Sequence, residues 1–540
     1  MAVITGFFEM HRKESPGAVR PAWSLPRKQT DMEQHTSTAL AAEQEAHLKK
    51  SLRRFDIIFL LIAAVVGLET LGQVSTYGAE AFTWALVLAV AFLLPYGLIF
   101  AEVGAAFSEE GGAYTWVRNA FGRPAAAIAA ILTWVTQPVW VGGSMAFLAA
   151  ETWSTYLVPM RSGSFWDYAF KVVFIWITVT AAIVSLQKGK WLPTVGAIVK
   201  VALLVFFVLT TVVYAAQHGV SGLSAGDFSP TLLGLFGSVP ILLFAYLGFE
   251  SSNSAAGEME NPARDVPVSI ARSCATAALC YLVPIMAILV VVPKDDITGI
   301  GGLLDAVATV FTVYGGAADV MLKVTAAAFV FVLMSQGSAW MIISDRMQAM
   351  AAADGSFFGG FFGRFHPGLG TPVRVNLLSG VVATLFLLAA MQLTGSSAAV
   401  FGVVLTISIS TFLLSYLLVI PAAVRLRTMY PHVVRPFRVP LSDRGFAVLG
   451  AICFAWVLLG SWVAVFPGTL EALFGLDYPF EDYWGVSQAR FEVFTLGTLA
   501  VLLVLGVVGY ARGARVRRDV GRVADTTVPT PASLTEGMPS

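Results

Sequence analysis

Charge is what this chain has least of. Only 13% of its 540 residues are Asp, Glu, Lys or Arg, about half of the ~25% that a water-facing globular surface carries. With 57% hydrophobic residues and a mean hydropathy of +0.75, most of the surface must face lipid. That excludes a secreted, cytosolic or nucleic-acid-binding protein. Basic and acidic side chains balance at 34 each, so there is no bias toward an acidic or basic partner. Cysteine is scarce too. Cys274, Cys280 and Cys453 lie in apolar runs, without metal-ligand spacing or an even count, and they read as small buried hydrophobes. The six histidines fall in tails and loops or, for His218, at the edge of an apolar run. No His relay or metal cluster sits inside the hydrophobic segments, so neither an embedded enzyme nor a bound cofactor is expected.

Long apolar runs are what the chain has instead. A helix needs about 20 mostly apolar residues to cross roughly 30 Å of hydrocarbon. Twelve segments qualify, near 55–76, 82–107, 124–157, 166–186, 193–217, 232–256, 269–292, 319–351, 375–393, 398–424, 446–466 and 491–511. Several exceed the minimum, which predicts tilt or interruption. Twelve spans put both termini on one side of the membrane. Assigning the N-terminus to the cytoplasm leaves 28 of the 34 Lys and Arg inside, a strong positive-inside signal. The expectation is a multi-pass protein of the cytoplasmic membrane, with a transmembrane unit over 51–512 and mobile cytoplasmic tails over 1–50 and 513–540. The first fifty residues lack the apolar core of a cleavable signal peptide. The outer loop 467–490 carries Glu471, Asp477, Glu481 and Asp482 among aromatics. It reads as an ordered surface loop, with a small amphipathic cap as the alternative. Nothing in the pattern fixes an oligomeric state.

Charges inside a span cost at least about 2.5 kcal/mol each by insertion scales, and three stand out: Glu69, Lys200 and Glu250. Glu69 lies in Val66-Gly67-Leu68-Glu69-Thr70-Leu71-Gly72, where two glycines around a charge point to a broken helix that exposes backbone groups to a cavity. The alternative is an ordinary helix with its glycines at a packing seam. Glu250 follows Phe244-Ala245-Tyr246-Leu247-Gly248-Phe249 and precedes Ser251-Ser252-Asn253-Ser254, a polar stretch unsuited to lipid. Two interrupted spans, five apart, are the signature of an inverted-repeat transporter with its site at the midplane. Lys200 stands seven residues past Pro193, about 10 Å along the span. It either snorkels to the interface or faces inward.

Four stretches resemble the amino acid–polyamine–organocation permeases. They are Ala101-Glu102-Val103-Gly104-Ala105-Ala106-Phe107 running on to Gly122; Phe244 to Glu250 with Gly257-Glu258-Met259-Glu260-Asn261-Pro262; Asp345-Arg346 with Asp354-Gly355 and Thr371-Pro372; and Arg435-Pro436-Phe437-Arg438-Val439-Pro440. The resemblance implies an all-α, LeuT-like fold: two inverted five-span repeats plus two peripheral helices. It implies a substrate held between the unwound middles of spans 1 and 6, at Gly67, Leu68, Glu69, Thr70, Phe244, Ala245, Tyr246 and Gly248. Phe244 would gate the site. Lys200, placed against Gly67, would stand in for a sodium ion, with Glu69 and Glu250 in coupling. One departure stands out. The family usually offers Gly-small-Gly in span 1, whose bare amides receive a substrate carboxylate, whereas here Glu69 replaces the second glycine, as in polyamine transporters of plants and protozoa. The expected function is secondary active transport of amino acids or related amines by alternating access, proton-coupled or by exchange. A polyamine permease is the narrower alternative, and a nutrient sensor on a transporter scaffold the remote one.

Overall fold

In hydrocarbon every backbone N–H and C=O must be satisfied within the protein, so apolar runs of this length fold as helices. A computed structural model describes residues 37–46, 53–188, 191–220, 222–293, 297, 301–392 and 397–518. Among the described residues there is no strand. Among the described residues eleven helices are long and apolar enough to cross a membrane, and a bent pair makes the twelfth. Span 1 is that pair, Arg54–Val65 and Leu68–Ser75, bent by 40°. Spans 2 and 3 are Ala79–Ala106 and Arg123–Tyr156, span 5 is Trp191–His218, and span 7 is Pro262–Val291. Span 6 runs as an α-helix over Leu232–Tyr246 and resumes as a tighter helix over Phe249–Glu258. Spans 8 and 10 are Ala318–Ala353 and Ser397–Met429. The all-α fold with interruptions in spans 1 and 6 is the one the resemblance implies.

Burial sorts the spans. The most apolar window of span 3 is 89% buried and that of span 10 is 83% buried, against 39% for span 5. Spans 3, 6 and 10 therefore form the centre with the broken span 1, while others present apolar surface outward. The motif segments serve as joints. Glu102 accepts from Arg427 at 3.0 Å, from the Val439 N–H at 2.8 Å, and pairs with Arg435 at 3.2 Å. Asn253 donates to the Gly104 carbonyl at 3.0 Å.

Three features differ from the sequence expectation. The segment between spans 7 and 8 contains a helix, Gly302–Phe311, which buries Leu303, Leu304, Val307 and Val310. Its close approach needs glycine: a Cβ on Gly302 would stand 2.9 Å from the Gly72 Cα. At ten residues it is too short for a span-length ruler. The loop 467–490 holds two short helices, Thr469–Leu473 and Phe480–Trp484.

The expectation of a mobile tail over 1–50 is corrected in part. Residues 37–46 are docked, with a helix over Ala39–Ala46. The Thr38 N–H donates to Asp354 Oδ1 at 3.0 Å and its hydroxyl donates to the Ala353 carbonyl at 2.6 Å. Thr38 thereby fixes the helix start against the end of span 8. At the other end Arg517 donates to the Gly355 carbonyl. Both described ends of the chain thus meet at residues 353–355, and this side is called the inner face below. Residues 1–36 and 519–540, with Lys190 and Lys294, lie outside the described residues.

Candidate functional site

The break in span 1 falls at Val66-Gly67, both extended in backbone. A break strips carbonyls and an amide of their helical partners, and each must be paired again in a site without bulk water. Two side chains do this. Lys200 Nζ donates to the Ala63 carbonyl at 2.7 Å, to the Val66 carbonyl, and to Gln336 Oε1 at 2.8 Å. Tyr281 Oη accepts from the Gly67 N–H at 2.7 Å and donates to the Val65 carbonyl at 2.9 Å. Lys200 is 1% exposed, which answers the snorkelling alternative: the ammonium faces inward. Its partner is the carbonyl before Gly67 rather than Gly67 itself.

Glu69 sits in the first turn after the break. Its Oε1 accepts from Gln336 Nε2 at 2.7 Å, while Oε2 is buried without a partner. Gln336 thus bridges the carboxylate and the Lys200 ammonium, accepting from one and donating to the other. The Glu69 carboxylate also curls over the broken end, since a Cβ on Gly67 would come 2.5 Å from Oε1. The amide that a Gly-small-Gly motif leaves bare is here occupied by Tyr281, and a carboxylate stands beside it.

In span 6 the turn is made by Gly248, at φ 104° and ψ 0°, a left-handed conformation natural only to glycine. A Cβ there would lie 2.5 Å from the Trp340 ring. The Gly248 N–H donates to Tyr96 Oη at 2.8 Å. Tyr96 and Tyr416 both donate to the Glu250 carboxylate, so Glu250 is a buried acceptor held by two phenols.

Between the two breaks lies a small central cavity, with about 250 Å³ of non-atom space when open solvent is counted and about 10 Å³ available to the centre of a water molecule. Four rings form a closed circuit around it: Trp140 and Phe244 with centroids 4.9 Å apart, Phe244 and Phe412 at 5.6 Å, Phe412 and Trp340 at 5.7 Å, and Trp340 and Trp140 at 6.4 Å. Val65, Gly67, Thr70, Ala245, Tyr281 and Gln137 complete the lining. Gln137 Oε1 is a buried acceptor without a partner. On the inner side of Trp340 a second cavity, of about 330 Å³ with open solvent again counted, is lined by Thr133, Glu250, Ser251, Ser254, Ser344 and Tyr416. Farther inward Arg346 pairs with Glu258 and Glu110, and it donates to the Gly370 carbonyl at 3.2 Å. These contacts tie the spans together on the inner side of both cavities.

Of the residues singled out in sequence, Gly67, Thr70, Phe244 and Ala245 line the central cavity, and Glu250 lines the inner one. Leu68, Glu69, Tyr246 and Gly248 do not line the central cavity. Glu69 and Gly248 shape it from behind. Tyr246 instead donates to the Ala85 carbonyl at 3.1 Å, tying span 6 to span 2. Sequence reasoning missed Gln137, Trp140, Tyr281, Gln336, Trp340 and Phe412. The amides Gln137 and Gln336 carry a signal, being polar groups in apolar spans. The aromatics carry none, because a cavity ring and a packing ring look alike in periodicity.

A twelve-helix bundle broken at two matched points around a central cavity defines a membrane permease. The chain belongs to the amino acid permease family, whose sequence model matches residues 52–473. It is similar to the probable agmatine/putrescine antiporter AguD of Lactococcus lactis subsp. lactis (strain IL1403), at 29% identity over 73% of this chain and 84% of that protein. It also resembles the branched-chain amino acid permease BcaP of Bacillus subtilis (strain 168), at 24% identity over 81% and 93%. Cationic amino acid transporter 4 of Homo sapiens is 26% identical over 63% and 55%. The protein is therefore a multi-pass membrane transporter of amino acids or related amines, not an enzyme.

Proposed function

We propose that this permease carries organic ammonium compounds, amines or cationic amino acids, by alternating access and without sodium. The observation that carries the sodium-independence is the Lys200 ammonium on the Ala63 and Val66 carbonyls. An ammonium supplies there the positive charge that a bound cation would supply to unwound carbonyls. Coupling then falls to a proton or to exchange against a second substrate.

The substrate's charge follows from the cavity. Four aromatic side chains and the unpaired Gln137 Oε1 favour a cation, which gains about 0.5–2 kcal/mol over a well-placed aromatic face. The unpaired Glu69 Oε2 adds negative potential behind Gly67. A substrate carboxylate would meet Glu69 where it needs bare amides. The similarity to an agmatine/putrescine antiporter agrees with this reading. The resemblance and the positive-inside pattern support a cell-membrane location with both termini cytoplasmic, a permease unit over 51–512 and an inner face that meets the cytoplasm.

Competition against labelled amine uptake in proteoliposomes tests the reading. Putrescine, agmatine and arginine should block uptake, and leucine should not. Competition by zwitterionic amino acids alone would overturn it.

A further inference from the structure

A third cavity lies on the outer side of the central one. Three helices show the two in register. Thr70, Phe244 and Phe412 line the central cavity, and Gln73, Ile241 and Ile409 line the outer one. Each pair is three residues apart on one helix, about 4.5 Å along the axis, and each step runs away from the inner face. The outer cavity, beside the loop 467–490, holds about 530 Å³ of non-atom space when open solvent is counted, of which about 60 Å³ is available to the centre of a water molecule. It is the largest of the three in this line.

The chemistry of this space is specific. Glu471 is the one charged residue lining it, and no basic side chain joins it there. The residue is 1% exposed, and its Oε2 has no hydrogen-bond partner. Burial raises its carboxyl above the usual range, against the N–H groups of Gly468 and its own residue, which favour the anion. Tyr77, Tyr478 and Trp484 line the same cavity. The rings are held from behind: Trp484 Nε1 donates to Tyr478 Oη at 2.8 Å, and Tyr483 stacks on Tyr478 at 4.9 Å. A buried carboxyl with one oxygen unpaired, among aromatic side chains, is the chemistry that receives a positively charged donor. Gly402, on the opposite wall, leaves the room for a ligand, since a Cβ there would meet nothing within 4 Å.

We propose that the outer cavity is a second binding site, for the ammonium group of an organic amine, built on Glu471 and the rings of Tyr77, Tyr478 and Trp484. It receives the amine before the central cavity does, and Gln73 lies between the two, one helical turn from Glu69. The inference rests on the amine reading for the ligand's chemical class alone.

Equilibrium binding of labelled putrescine to the full-length protein in lipid nanodiscs, without sodium, separates the two sites. The wild type should bind two molecules per chain. Glu471→Gln and Gly402→Trp, which puts a large side chain into the cavity from span 10, should each remove one and leave the other. Glu69→Gln should weaken the remaining one at least tenfold. Unchanged stoichiometry in both Glu471→Gln and Gly402→Trp overturns the outer site while leaving the central reading intact. Loss in those two with no response to Glu69→Gln supports the outer site and removes Glu69 from amine recognition at the central one. No binding in the wild type removes both. Should Glu471→Gln fail to fold, Gly402→Trp decides alone, because the wall it occupies is open.

Discussion

Replacing Lys200 by Ala removes the cation from the break in span 1. Three acceptors lose their donor at once: the Ala63 and Val66 carbonyls and Gln336 Oε1. A buried acceptor left unpaired costs about 1–3 kcal/mol; Gln336 loses its donor however span 1 is arranged, so the two carbonyls cost the broken conformation itself roughly 2–6 kcal/mol. Against this, the chain no longer buries an ammonium, whose desolvation costs several kcal/mol. The two terms act on different things. Relief from desolvation applies to the folded protein however span 1 is arranged. The orphaned carbonyls penalise the unwound geometry alone, because a continuous helix would pair its own carbonyls. Lys200→Ala should therefore insert and fold but populate the broken state much less. Each 1.4 kcal/mol is tenfold, so even the low end of the range predicts about a 25-fold fall in initial uptake. Lys200→Arg should not rescue, since a planar guanidinium cannot reproduce a compact three-donor head. The assay is amine uptake in proteoliposomes, beside size-exclusion chromatography to verify folding. Wild-type uptake by well-folded Lys200→Ala would refute the reasoning.

Other outcomes follow from the same contacts. Phe244→Ala opens one side of the ring circuit and should slow turnover more than Phe244→Trp; equal rates would deny Phe244 a gating role. Tyr281→Phe orphans the Gly67 N–H and the Val65 carbonyl, a cost of about 2–6 kcal/mol at 1–3 for each group. It should lower the thermal midpoint and uptake together, and an unchanged midpoint would contradict the pairing. Gly248→Ala forces an L-residue into a left-handed turn, at about 1–2 kcal/mol, and drives a Cβ toward Trp340. Amine affinity should fall at least tenfold in a binding titration. Glu69→Gln keeps a hydrogen-bonding amide beside Gln336 but removes the charge. In a site screened as a protein interior is, that charge is worth more than about 1 kcal/mol to a bound ammonium, so putrescine inhibition should weaken before transport itself fails.

The periodicity and the charges together made the twelve spans and both breaks legible. Gly67 and Gly248 were visible because a glycine beside a carboxylate inside an apolar run has few physical explanations. Lys200 was visible for the same reason. The walls of the cavity were not. Trp140, Trp340 and Phe412 come from spans 3, 8 and 10 and meet only when those helices cross, which no local pattern encodes. Tyr281 was hidden because its hydroxyl serves backbone groups more than 200 residues away in sequence. Glu471 looked like a surface acid, since burial by a folded outer loop cannot be read from composition. The docked segment 37–46 was masked by its polar, charged neighbours, although Thr38 is a good capping residue.

The most direct test of the account is counterflow in proteoliposomes with sodium absent on both sides. Vesicles loaded with unlabelled putrescine should accumulate labelled putrescine, and Lys200→Ala protein should not. Uptake that appears only when sodium is added would contradict the claim that the Lys200 ammonium takes the place of a coupling cation.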